Sequence, residues 1–242
     1  MGAPRQHALL ALLLLSEGRQ VSSDAIVSAL WGPNAPRSAF LTTRSYVSRL
    51  RQVLLRQDAA EPEIRSVGGG YQICVDPTQV DALSFRETVA AARAARDRGR
   101  LDDATGLYRT ALAMWRGPAL GGLQGAFFDA RRTWLEEQRR AASHALWELE
   151  IEQGHCEEAV ADLTEATTAN PFDEGLWQLL MIAFTRADRR ADALSAYQQV
   201  SSLLDSELGL EPGPGLRSAR AQIISGQLRT APRPAAYVRA VA

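Results

Sequence analysis

The 242-residue sequence contains no lysine, only two cysteines and three histidines. Each scarcity excludes something. Two cysteines, Cys74 and Cys156, cannot build a disulfide framework, and their spacing fits no zinc pattern. The apolar run Ala8 to Leu15 behind Arg5 is short for a secretory leader, and SEGR follows where a small-residue cleavage site would sit. No segment approaches the roughly 20 apolar residues of a membrane span, so no membrane partner is expected and a reducing cytoplasm is the expected location. Of the histidines His7, His144 and His155, only His155 adjoins a nucleophile, Cys156, and adjacent helical residues point in different directions. No HExxH, GxSxG or Walker pattern occurs. Acid pairs such as Glu136-Glu137 and Glu157-Glu158 read as solvated helix faces. Nothing alternates strand and helix as a phosphorylatable receiver would. No catalytic residue, metal site or cofactor is therefore expected, and an enzyme has no supporting pattern.

Charge is balanced overall, at −1, but not along the chain. Residues 1–75 hold eight arginines against five acids, a net +3, which leaves −4 for the remainder. Between Ala25 and Gln57 stand Arg37, Arg44, Arg49, Arg51 and Arg56 with no acid at all. The stretch from Ala35 to Gln57, APRSAFLTTRSYVSRLRQVLLRQ, reads as a helix. Phe40, Thr43, Val47, Leu50 and Leu54 form its packing stripe, while Ser38, Thr42, Ser45, Arg49 and Gln52 lie elsewhere, flanked by Arg37, Arg44 and Arg51. Arginine forks match phosphates and guanine edges in a DNA major groove, and hydroxyl and amide groups supply shorter contacts.

Such a helix alone is more often a solvated surface; its neighbours decide. Arg5 to Leu15 reads as a first helix, and Ser22 to Trp31 as a second, capped by Ser22 or Ser23 and stopped at Gly32-Pro33. After the third helix, Ile64–Val67 and Tyr71–Val75 alternate as two strands around Gly68, Gly69 and Gly70, which are expected to supply the positive φ of a tight turn. Three helices and a hairpin predict a winged helix with the third helix as reader. A glycine triplet without the Walker lysine is weak support for a phosphate loop.

Residues 76–81 form a connector, and the rest reads as all-helical. Leu146, Ala159, Leu163, Ala166 and Pro171 are followed 34 residues later by Leu180, Ala193, Tyr197, Val200 and Asp205, with Trp177 and Phe184 at large positions, a tetratricopeptide-like spacing. A looser copy runs from Phe85 to Met114 through Gly99, Ala104, Tyr108 and Ala111, and Trp115 to Glu137 reads as an insert carrying Phe127, Phe128 and Trp134. Trp115, Trp134, Trp147 and Trp177 are expected as core. The expected fold is thus mainly α. Residues 1–76 form a winged-helix domain and 82–225 a tetratricopeptide-like helical domain, and 226–242, with two prolines, are expected to be disordered.

The segments SDAIVSALWG, YVSRLRQVL, IRSVGGGYQI, ALAMWRGPAL and ELGLEPGPGLRSA resemble, in order and over nearly the whole chain, the Streptomyces antibiotic regulatory protein (SARP) family. The resemblance implies a transcriptional activator that joins a winged helix to a bacterial transcriptional activation domain. It implies binding to direct repeats of double-stranded DNA upstream of a secondary-metabolite gene cluster, possible homodimer formation on that DNA, and recruitment of RNA polymerase. Members usually carry a small antiparallel sheet before the first helix that this sequence lacks, which bears on the stability of the domain. The DNA-binding set implied is Arg49 on base edges; Arg44, Ser45, Ser48 and Thr42 on the DNA side; Arg37 and Arg51 on phosphates; and Ser66 and Gly69 at the wing. Thr43 and Ser45 replace residues more often aliphatic in relatives, so base preference does not transfer. A repeat-built interaction module whose winged helix has lost DNA binding is the alternative.

Overall fold

The computed structural model describes residues 4–54 and 63–228. The expected loop after Arg56 and nearly all of the expected tail lie outside these. The chain divides into two compact units, Met1–Arg93 with Arg109–Ala141, and Ala94–Tyr108 with Ala142–Ala242.

In the first unit, α1 (Pro4–Leu14) starts on a proline, whose missing N–H is no loss in a first turn. It buries Leu9, Leu12 and Leu13. After a two-residue strand β1 (Val21–Ser22), α2 (Ser23–Trp31) is capped by Ser22, whose Oγ accepts from the Ala25 N–H at 3.1 Å, and ends at Gly32 with φ 58°. The cap is thus Ser22 and not Ser23. Helix α3 (Ala39–Leu54) buries Ala39, Thr43, Val47 and Leu50. The expected stripe needs one correction, because Phe40 is 47% exposed and Ala39 takes its place at 1%. Four residues before Thr43, Ala39 stays on the stripe, whereas Phe40 falls at its edge.

Strands β2 (Glu63–Val67) and β3 (Gly70–Cys74) make the hairpin, and β1 joins it, giving three antiparallel strands in the order β1-β3-β2. Two residues are too few for β1 to show alternation in the sequence. Val67 pairs with Gly70, so the turn is Gly68-Gly69, with φ of 50° and 79°. Gly70 is not a turn residue as expected. Its hydrogen is needed because a Cβ there would lie 2.1 Å from the Val21 carbonyl oxygen and 2.8 Å from the Ser22 Cα. Leu9, Leu13, Ile26, Val47, Ile64, Ile73 and Phe128 form the core of this unit. Phe128 belongs to a helix that begins inside the expected insert, so part of that insert completes the winged-helix core.

That helix, α6 (Ala126–Glu152), follows α4 (Asp81–Asp97) and α5 (Leu101–Leu112). The second unit then continues with α7 (Cys156–Ala169), α8 (Glu174–Arg186), α9 (Arg190–Leu208) and α10 (Pro214–Ser225). Ala159 and Ala193 are both 0% exposed, as the repeat spacing requires where helices approach closely. They pack with Leu163, Leu180, Met181, Val200, Leu216 and Ile223. Trp177 is buried, and its indole N–H donates to the Pro171 carbonyl at 2.8 Å. Trp115 and Trp147 are half-buried and pack against the clusters around Leu135 and Leu163, whereas Trp134 departs from expectation, 37% exposed with the Arg86 guanidinium 5.5 Å over its ring. A cation covering an indole face satisfies it without a core.

Candidate nucleic-acid interface

At about 100° per residue, the buried stripe of α3 places Leu41, Ser45, Ser48 and Gln52 diametrically opposite the core, with Arg44 on one side and Arg49 on the other. All six are exposed. Arg37, in the turn before α3, is exposed as well. Among the described residues no carboxylate pairs with Arg37, Arg44 or Arg49. Three guanidiniums thus stand on one surface around short hydroxyls, with no carboxylate of the described residues to neutralise them. Thr42 is half-buried and its hydroxyl donates to the Ser38 carbonyl at 2.9 Å; that of Ser45 donates to the Leu41 carbonyl at 3.2 Å. Both hydroxyls present lone pairs outward until a ligand turns them.

Arg51 sits differently. It is half-buried, its Nε donates to the Ile64 carbonyl at 2.8 Å, and its Nη2 donates to the Ser66 Oγ at 3.0 Å. It fastens the helix to the hairpin while its charge remains at the same surface. The hairpin tip is also tied down. The Gln20 side-chain amide donates to the carbonyls of Val67 (2.8 Å) and Gly68 (3.0 Å). The Ser23 hydroxyl (2.7 Å) and N–H (3.2 Å) both donate to the Gly69 carbonyl. Gly69 itself is exposed. The hairpin's one arginine, Arg65, is held by Glu63 at 2.7 Å, a hydrogen bond that raises its pKa above the ordinary arginine value.

Sequence reasoning missed Gln20 and Ser23, for which the only signal was the polar pair flanking a strand too short to read. It also missed an aromatic brace: Trp31 of α2 stacks on Tyr46 of α3 with centroids 6.5 Å apart and planes 7° off parallel, and the Arg5 guanidinium lies 5.6 Å from the Trp31 ring. The structure therefore brings Thr42, Arg44, Ser45, Ser48, Arg49 and Arg51 onto one helix, with Arg37 at its start and Ser66 and Gly69 on the hairpin. The arrangement can neutralise phosphates and fork onto base edges. No group of three or more His, Cys, Asp or Glu among the described residues could hold a metal ion. No helix there is long and apolar enough to cross a membrane.

Comparison with known proteins shows the chain to be similar to transcriptional regulators. Residues 80–224 match the bacterial transcriptional activator domain, and residues 2–73 match the C-terminal region of transcriptional regulatory proteins. The regulatory protein AfsR of Streptomyces griseus is 37% identical over 223 residues, 92% of this chain and 22% of AfsR. The transcriptional regulatory protein EmbR of Mycobacterium bovis is 34% identical over 93% of this chain and 59% of its own length. The regulatory protein DnrI of Streptomyces peucetius is 33% identical over 91% of this chain and 83% of DnrI. The chain thus spans about a fifth of AfsR but most of DnrI. Among solved structures, Mycobacterium tuberculosis EmbR in complex with a low-affinity phosphopeptide superposes with a TM-score of 0.85 at 32% identity, over 96% of this chain and 60% of that one.

Proposed function

Because the chain belongs to the Streptomyces antibiotic regulatory protein family of transcriptional activators, we propose that it is a sequence-specific DNA-binding activator of a secondary-metabolite gene cluster. The observation that carries this is the exposed, acid-free face of α3, where Arg37, Arg44 and Arg49 have no carboxylate partner among the described residues. Arg49 forks onto a base edge. Arg44, Ser45, Ser48 and Thr42 line the groove beside it, and Arg37 holds a phosphate. Arg51 adds its charge at the phosphate backbone while positioning the wing, where Ser66 and the Gly69 backbone touch the strand.

In this reading residues 1–76 bind DNA and residues 82–225 form the activating part, which engages RNA polymerase in the cytoplasm. Copies of the chain occupy direct repeats side by side as a homodimer on DNA, and no catalytic step is involved. The test is a gel-shift with the full chain on the promoter region upstream of its own gene, across a salt series. The expected outcome is a discrete complex whose log affinity falls linearly with log salt, each neutralised phosphate contributing a slope of about −0.9. No retardation at low salt overturns the proposal.

A further inference from the structure

Among the described residues the most exposed large apolar side chain is not on a repeat helix but in the middle of the proposed DNA face: Leu41 is 66% exposed. It stands in the first turn of α3, the end of a reader helix that enters the major groove. Its neighbours on that face, Arg37, Ser38, Arg44, Ser45 and Ser48, are all polar and, like it, exposed. Phe40 beside it is 47% exposed, so Leu41 is one of two apolar side chains among cations, short of the patch of several hundred Å² that a protein partner would cover. The Ser45 hydroxyl donates into its own helix at the Leu41 carbonyl (3.2 Å), so the polar groups beside Leu41 do not define a site for it. In the major groove every base edge offers hydrogen-bonding groups, but only thymine adds an apolar one, its 5-methyl.

We propose that Leu41 is a specificity-determining residue that reads a thymine methyl group in the operator. This rests on the DNA-binding reading above and adds to it a base identity that no arginine contact supplies. Arg44 and Arg49, on either side, set the depth at which Leu41 meets the groove floor.

The test begins by selecting a preferred site from random duplexes with the full chain. Each thymine of that site is then replaced singly by deoxyuridine, which removes the methyl and keeps every hydrogen-bonding group. Affinity is measured by fluorescence anisotropy for the wild type, Leu41→Ala and Leu41→Met. The expected result is one or two positions where the wild type binds about three- to fivefold more weakly to uracil, the size of one buried methyl. At those positions Leu41→Ala binds both duplexes alike and Leu41→Met keeps the preference. A wild type indifferent to every replacement overturns the assignment without any variant, and so does a Leu41→Ala protein that keeps the full preference; in both cases DNA binding itself stands. Failure to enrich any sequence overturns the DNA-binding reading together with the assignment.

Discussion

The arginines of α3 and those of the helical repeat are chemically identical and are used in opposite ways. Arg96 bridges Glu148 at 2.9 Å and Glu152 at 3.3 Å, and Arg189 bridges Asp192 at 2.8 Å and Glu157 at 3.0 Å. Donating hydrogen bonds to those carboxylates holds both guanidiniums above their ordinary pKa. On α3, Arg44 and Arg49 face solvent without such partners among the described residues. A cation already neutralised inside its own fold has little left for a polyanion, whereas an unpaired one has only counterions to release. Where arginine is the sole basic residue, its partner list and not its presence separates a binding face from a structural one.

Four substitutions break or sharpen this contrast. The largest effect is expected where neither use of arginine operates. Gly70→Ala forces a Cβ onto the Val21 carbonyl and should destabilise the folded chain by about 2–4 kcal/mol in chemical denaturation. A change under about 0.5 kcal/mol would mean that β1 does not clamp the hairpin. Next, Arg49→Ala should lower affinity for a selected site by about 1–3 kcal/mol with an unchanged melting midpoint; equal losses on selected and random duplexes would remove its base-reading role. Arg51→Ala blurs the two classes, because its partners are Ile64 and Ser66 rather than an acid. It should cost about 1 kcal/mol of stability and weaken binding to all sequences alike, and a loss confined to the selected site would contradict the bracing role. The smallest is Arg96→Ala, a surface pair, at about 0.2–1 kcal/mol of stability and no change in DNA affinity; reduced DNA binding by this variant would collapse the contrast.

Much of the architecture was legible because it rests on periodicity. The spacing of Thr43, Val47 and Leu50 marks a helix face, and Ala159 and Ala193 recur 34 apart where helices touch. Arg44 and Arg49 were legible for the same reason, since exposure follows from phase. What escaped depends on contacts between residues far apart in sequence. Gly70 reads as a third turn glycine until β1 is seen against it, and the brace from Arg51 to Ile64 and Ser66 shows only once the hairpin is folded beside α3. Trp134 reads as core because nothing in its own segment announces the Arg86 stacked over it. Phe128 could not be assigned to the winged-helix core from a position more than fifty residues beyond the wing.

The hairpin is moored at several points, with Gln20 and Ser23 on its tip carbonyls, β1 along one edge and Arg51 on its outer strand. A mount of this kind has little rotational freedom left to lose on association. It also cannot swing to follow an unsuitable duplex, so the adjustment must come from the DNA. Under the DNA-binding proposal, steps that bend or narrow readily beneath Ser66 and Gly69 would be favoured over stiff ones, and the operator would carry sequence information at base pairs that no side chain touches.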